Sequence, residues 1–217
     1  MKLGVLFIGT LFIFLLSTCT KFGKNVYVDG RVYNPITGEG IPNIPIRLYR
    51  SKLDSKDPLG TDSKTLQTTT TDANGYYKME HLSTPFNHVW IRLNNLDYYP
   101  IGWVGFGHTG SELVKKGKRN HLDYEMVPYG NYKIVVNNIN CQGANDTIII
   151  RRTNQVGSFL AIDWVLTGCG GYNSSFSQAP MGTVYTHYTV IRNGVSNEYD
   201  VNFEILPNQD NIQTINY

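Results

Sequence analysis

What this 217-residue chain lacks narrows it first. No window repeats apolar residues at the i, i+3, i+4, i+7 spacing of an amphipathic helix, so little helix is expected. Charge of one sign is also missing, since 19 Lys and Arg face 17 Asp and Glu. Nucleic acid calls for a clustered basic face, and it is not an expected partner. The five histidines (His81, His88, His108, His121, His187) include none with Glu three residues on and no H-x-H or H-E-x-x-H pair. Catalytic zinc takes three protein ligands and an open position, so no metal site is expected. There is no G-x-S-x-G nucleophile elbow. Gly168-Cys169-Gly170-Gly171 lacks the Lys and Ser/Thr of a phosphate loop. The sequence therefore predicts a protein that is not an enzyme, with no catalytic residue, cofactor or metal.

What is present begins at the N-terminus. Lys2 is followed by residues 3–16, apolar apart from Gly4, Gly9 and Thr10, and then by Leu16-Ser17-Thr18-Cys19. A basic start, a short apolar run and a small-residue end make a secretory signal. The tetrapeptide resembles a bacterial lipobox, which implies cleavage after residue 18 and lipid on Cys19. The apolar run is shorter than the roughly 20 residues a bilayer span requires. An unlipidated cleaved signal and a retained anchor are the alternatives. Several acyl chains on Cys19 would hold the protein stably, because one chain binds only marginally. The expected location is the cell envelope, anchored to a bacterial membrane and facing the periplasm or the surface. Lys2 leaves with the signal, so 18 basic residues face 17 acidic ones in the mature chain.

Three cysteines are few, yet their placement is informative. With Cys19 assigned to lipid, Cys141 and Cys169 form an even pair in an oxidising compartment, and a disulfide is expected. Two buried thiols are the alternative.

Short alternating runs predict strands at 25–33, 44–50, 66–71, 76–81, 87–93 and 121–127. Ile44, Ile46 and Leu48 share one face, as do Val89, Ile91 and Leu93, a pattern that suits antiparallel strands with one dry side. Pro42 and Pro45 lack donors, so the second strand starts late or lies at an edge. Residues 51–64, rich in Asp and Pro, read as a long loop. Asp72-Ala73-Asn74-Gly75 reads as a tight hairpin turn, since Asn-Gly tolerates positive φ. It lacks the alternating acidic oxygens and final Glu of a calcium loop.

Three segments match one pattern in order: Val28-Asp29-Gly30-Arg31-Val32, then Thr37-Gly38-Glu39-Gly40-Ile41-Pro42-Asn43-Ile44-Pro45-Ile46-Arg47-Leu48, then Thr69-Thr70-Thr71-Asp72-Ala73-Asn74-Gly75-Tyr76-Tyr77. The pattern resembles the carboxypeptidase regulatory-like family, with Asn43-Ile44 where Gly-Ala is usual. The resemblance covers about residues 25–128. It implies a seven-stranded, transthyretin-like (prealbumin-like) β-sandwich, an accessory module of many secreted and surface proteins. The related collagen-binding-protein B-type domains can carry an internal Lys–Asn isopeptide. Lys24 and Asn120 are the conceivable partners, with Glu80 or Glu112 as the acid, although Lys24 precedes the predicted strand and Asn120 lies in a basic turn.

Pro128-Tyr129-Gly130 is the expected boundary, and the signature does not recur beyond it. Strands are predicted at 131–138, 147–152, 159–166, 183–192 and 198–206, with a hairpin at Arg192-Asn193-Gly194-Val195. Tyr199, Val201, Phe203 and Ile205 share one face, opposite Asp200, Asn202 and Glu204. A second, smaller β-sandwich over 129–217 is expected, closed by the Cys141–Cys169 bridge.

Two surface features remain. Lys115-Lys116-Gly117-Lys118-Arg119 reads as a solvated turn, with anionic headgroups or polysaccharide as possible contacts. In Tyr98-Tyr99-Pro100-Ile101-Gly102-Trp103-Val104-Gly105-Phe106-Gly107-His108, aromatics alternate with glycines. Tyr98, Tyr99, Trp103 and Phe106 are the candidate ligand-binding residues, by stacking on sugar faces. Packing of Trp103 in the core is the alternative. The sequence thus predicts an all-β, two-domain, non-catalytic envelope lipoprotein acting as a protein-interaction or structural module. A glycan-binding lipoprotein using the aromatic stretch is the second reading and a hydrolase accessory the third. The expected partners are the membrane, through the lipid, and a protein or a surface glycan.

Overall fold

The computed structural model describes residues 23–51, 63–83, 87–93, 97–157 and 162–217. Cys19 and the lipobox, most of the predicted 51–64 loop and the start of the predicted 159–166 strand lie outside the described residues. The described residues are all-β, with no helix, and form sheets packed in sandwich fashion. In chain order the strands are β1 (Lys24–Tyr33), β2 (Pro45–Ser51), β3 (Ser63–Thr70), β4 (Tyr76–Ser83), β5 (Val89–Leu93), β6 (Tyr98–Trp103), β7 (Glu112–Val114), β8 (Arg119–His121), β9 (Tyr124–Asn137), β10 (Thr147–Asn154), β11 (Trp164–Thr167), β12 (Tyr172–Asn173), β13 (Ser177–Pro180), β14 (Gly182–Arg192), β15 (Val195–Ile205) and β16 (Asp210–Asn216).

A first core lies between the sheet β3-β2-β5-β7 and the layer holding β4, β1, β8, β6 and the start of β9. Alternation builds it. Val26, Val28 and Val32 of β1, Ile46 and Leu48 of β2, and Val89, Ile91 and Leu93 of β5 are buried, and their neighbours point outward. β2 begins at the exposed Pro45, where the missing N–H removes no ladder bond. The Asp72–Gly75 segment is not a hairpin. β3 pairs with β2 and β4 with β1, so the turn carries the chain from one layer to the other. Its chemistry is as the sequence implies: the Asp72 carboxylate accepts from the N–H groups of Asn74 and Tyr76 (2.9 and 2.8 Å). Gly75 has φ +81°, and a Cβ there would meet the Val32 carbonyl at 2.2 Å.

A second core joins Tyr132, Ile134 and Val136 of β9 and Ile215 of β16 to Ile148, Ile150, Val184, Val190 and Ile205. The latter belong to the sheet β11-β10-β14-β15. β9 serves both cores. Its start pairs with β6 and β1, and from Tyr129 onward it pairs with β13, β12 and, in parallel, β16. The change of partners falls at Pro128-Tyr129, inside one continuous strand. The Arg192–Val195 hairpin forms as expected, with φ +49° at Asn193 and +80° at Gly194, the two-residue geometry that matches strand twist.

Cys141 and Cys169 are disulfide-bonded, with Cα atoms 5.2 Å apart. Asp146, enclosed beside them, accepts from the Gln142 N–H (2.9 Å), Asn138 Nδ2 (3.2 Å) and Arg192 Nε (3.2 Å). These donors, the backbone one first, hold its carboxyl below the usual carboxylate range.

Candidate functional site

The four aromatic residues picked out by sequence do not share an exposed face. Trp103 is a core residue, 2% exposed, at the end of β6. Its indole N–H donates to the Gly110 carbonyl (2.7 Å), and its ring meets Tyr124 edge-on at 4.9 Å. Tyr98 is half-buried against the first core, and Tyr99 sets its ring edge-on to Tyr129 at 6.1 Å. Phe106, in the turn after β6, is 50% exposed and lies against His108. A cleft of about 450 Å³ beside this turn is walled by Arg92, Pro100, Thr109, Ser111 and Tyr124, and by none of the four.

The basic turn and its neighbours form a clamp. Asp29 on β1 accepts from Arg119 Nε at 2.7 Å and lies 2.7 Å from His121 Nδ1; the other His121 nitrogen is 3.4 Å from Asp123. Hydrogen bonding to Asp29 raises the His121 pKa, with both carboxylates adding to the effect. Desolvation opposes ionisation of Asp29, but the His121 and Arg119 bonds outweigh it and hold its carboxyl low. Tyr33, hydrogen-bonded to Glu125 at 2.7 Å, is pushed up to about 12. Asn120 donates its amide to the carbonyls of Tyr27, Lys115 and Lys118 (2.9–3.1 Å), which closes the turn. Lys24 is the first residue of β1, opposite Ser83. Among the described residues no three His, Cys, Asp or Glu side chains are grouped to hold a metal ion.

The surface with the clearest capacity to bind lies on β15. Among the described residues this strand is the end member of its sheet and pairs only with β14, over eleven consecutive residues with no bulge. Residues opposite each other in an antiparallel pair point to the same side. Phe203, Val201 and Tyr199 face Val184, Thr186 and Tyr188, so they point to the core side of the sheet. The facing layer reaches Phe203, whose ring is 6.0 Å from Tyr132, and farther along it covers Thr186 and Val190 of β14 without extending out over β15. Beyond it the apolar face is bare: exposure rises from 0% at Ile205 to 38% at Val201, 47% at Tyr199 and 60% at Val195. Tyr199 stacks on Tyr188 at 5.1 Å, which fixes its ring in place.

The other face of β15 carries Glu198, Asp200 and Glu204, and the strand has no Lys or Arg. Asp200 sits 2.9 Å from His187 Nδ1, and Glu204 accepts from the Thr183 hydroxyl at 2.9 Å. The free edge of such a strand presents unpaired N–H and C=O groups, a template for another chain. Sequence reasoning finds the shared face of Tyr199, Val201 and Phe203. It has no signal for the missing cover, which depends on how far the facing layer extends sideways past β14.

No protein-family model matches the chain, and no curated protein matches it. Among solved structures it is similar to the Bacillus anthracis TIE protein, at 16% identity and a TM-score of 0.36, over 89% of this chain and 34% of that one. The chain thus spans about a third of the TIE protein. It is also similar to the shaft pilin SpaA of Lactobacillus rhamnosus GG (10% identity, TM-score 0.31, 89% of this chain and 98% of that one). A third similarity is to the minor pilin of Streptococcus agalactiae (11% identity, TM-score 0.32, 88% of this chain and 94% of that one).

Proposed function

We propose that this protein is a non-catalytic envelope lipoprotein that holds a protein partner by strand addition along β15. In this reading Cys19 carries the lipid, residues 19–24 are the linker, and 25–128 and 129–217 are two β-domains. The carboxypeptidase regulatory-like pattern in the first, typical of accessory modules, supports a binding role. The observation that carries the proposal is the open β15 edge, with its core-side face bare from Val201 to Val195 among the described residues.

Charge selects the occupant. A second copy pairing antiparallel about a two-fold normal to the sheet would set acid against acid in each central register. Centred on Asp200, that residue faces itself; centred on Tyr199, Glu198 faces Asp200; centred on Val201, Glu198 faces Glu204. Like charges directly opposite destabilise a strand pair. The complementary occupant is an extended segment of another protein that alternates apolar residues with Lys or Arg. Its apolar side would extend the Tyr199–Val201 face and its basic side would meet Glu198, Asp200 and Glu204.

Two experiments test this reading. The first is fluorescence anisotropy of the purified protein with an eleven-residue peptide alternating valine and lysine. Saturable binding is expected, at least about tenfold weaker for the valine–glutamate counterpart, for a backbone N-methylated version and for the Glu198→Lys/Asp200→Lys variant. Equal affinity for the N-methylated peptide would remove strand addition. The second is metabolic labelling with radioactive palmitate, which is expected to mark the wild-type band and not Cys19→Ala. Equal counts in both would remove the anchor.

A further inference from the structure

On the sheet edge opposite β15, the space between the two layers of the second core opens as a cleft of about 430 Å³. One wall is Arg152 of β10 and Trp164 of β11. Facing them are Tyr132 and Ile134 of β9, with Tyr172, Ser174, Ser175, Ser177 and Gln178 from the β12–β13 run. Trp164 and Tyr172 meet edge-on with ring centres 4.4 Å apart. They form an aromatic corner at the mouth, with Tyr172 41% exposed.

Arg152 is the unusual member. It lies on the strand face that also carries the buried Ile148 and Ile150 and is itself half-buried. Its guanidinium carbon is 5.8 Å from the Tyr132 ring centre and 5.9 Å from that of Trp164, and Nη1 donates to the Tyr132 hydroxyl at 3.0 Å. Among the described residues no carboxylate lies within ion-pairing distance of it. Asp163, which also lines the cleft, has its carboxylate engaged in a two-pronged bond with Arg151 (2.7 and 2.8 Å). The half-buried guanidinium is held by a neutral hydroxyl and two ring faces, so its charge is left for an anion entering the cleft to match. A planar guanidinium is suited to a carboxylate, which it grips through two parallel bonds.

We infer that this cleft binds an acidic sugar, with the carboxylate on Arg152, the pyranose face against Trp164 and Tyr172, and the hydroxyls on the serines and Gln178. A bare anion would leave the aromatic corner unused, and a neutral sugar would leave Arg152 uncompensated. The Ser174 hydroxyl, which accepts from the Ile134 N–H at 3.0 Å, keeps its own proton to donate. This places glycan recognition away from Tyr98, Tyr99, Trp103 and Phe106. Because β11 and β15 are opposite edges of one sheet, either proposal can fail without the other.

The test is tryptophan fluorescence, backed by calorimetry, of the full protein titrated with trigalacturonic acid, neutral galactotriose and sodium acetate. Saturable quenching is expected with trigalacturonic acid, with galactotriose and acetate each at least about tenfold weaker. Tyr172→Ala and Arg152→Gln are each expected to weaken binding about tenfold or more. Tyr172 is exposed, so its variant keeps the test decisive if loss of Arg152 disturbs folding. No saturable change with trigalacturonic acid, equal binding of galactotriose, acetate binding as tightly as the acidic sugar, or unchanged affinity in Tyr172→Ala would each overturn the inference.

Discussion

Trp103→Ala is expected to destabilise the protein by about 3–5 kcal/mol, the range for truncating a large buried aromatic side chain. The site has little means of collapsing. The Trp103 ring lies edge-on to Tyr124, itself buried, and Met126 is buried on the adjoining strand. The indole also organises the turn after β6. Its N–H holds the Gly110 carbonyl, the Trp103 N–H donates to His108 (3.0 Å), and the Phe106 N–H donates back to Trp103 (3.1 Å). Truncation therefore removes both the packing and the post that anchors the 104–110 turn. Two controls divide the effect. Trp103→Phe keeps a ring on Tyr124 and loses one hydrogen bond, a cost of about 1–2 kcal/mol with some loss of volume. Phe106→Ala, at an exposed position, should stay within about 0.5 kcal/mol of wild type. Urea midpoints followed by circular dichroism read all three. A midpoint for Trp103→Ala no lower than that of Phe106→Ala would mean that the indole is not a core residue.

The same contrast shows how far sequence alone reaches. β1, β2, β4 and β5 are legible because one face of each is buried by apolar residues and the other is wet, so period two is written directly in the residues. β6 is harder to read. Its register shifts between Pro100 and Gly102, and the glycines that permit its turn also interrupt the pattern, so a core tryptophan resembles an exposed platform. β16 is not legible at all. Its inward positions are Asn211, Gln213 and Ile215, two of them polar, and such a strand reads as a loop.

What makes β16 stable is long-range. Asn211 donates its amide to the carbonyls of Asn131, Leu206 and Gln209, and Gln213 is satisfied by Thr186 and Tyr132. Buried polar groups so paired cost little, but no local pattern announces the partners. The Asp72–Gly75 turn shows the opposite limit. Its dihedral requirements are local and legible, whereas the strands it joins belong to different layers. The two proposed binding surfaces fail to show in sequence for the same reason. β15 alternates as a half-buried strand should, and only the facing layer decides that Tyr199 is bare. Arg152, Trp164 and Tyr172 converge only because β9, β10, β11 and β12 are assembled around one opening.

Removing the Cys141–Cys169 bond is expected to cost about 3.5 kcal/mol while leaving the native fold intact. The bond spans 28 residues of sequence, and closing a loop of that length removes unfolded-state entropy of that order. Most of the native constraint survives without it. Asp146 binds the Gln142 N–H next to one cysteine through its carboxylate, and its carbonyl accepts from the Gly168 N–H (2.7 Å) next to the other. Arg192 joins the same carboxylate, donates to the Asn138 side chain (3.0 Å) and covers the Tyr217 ring at 5.3 Å, which ties Tyr217 to the loop. The loop ends therefore stay positioned when the sulfurs part, and the loss falls on the unfolded ensemble, which gains the freedom of the opened loop. A Cys141→Ala/Cys169→Ala variant should accordingly show a lower thermal midpoint, an unchanged far-ultraviolet spectrum and a larger denaturant slope, since the unlinked chain exposes more surface on unfolding. Adding Asp146→Asn to that background should release the loop ends as well, so the two changes together should cost more than the sum of each alone. Strict additivity would show that the carboxylate cluster and the bond act independently, and that Asp146 takes on no added role in holding the loop ends once the sulfurs are gone.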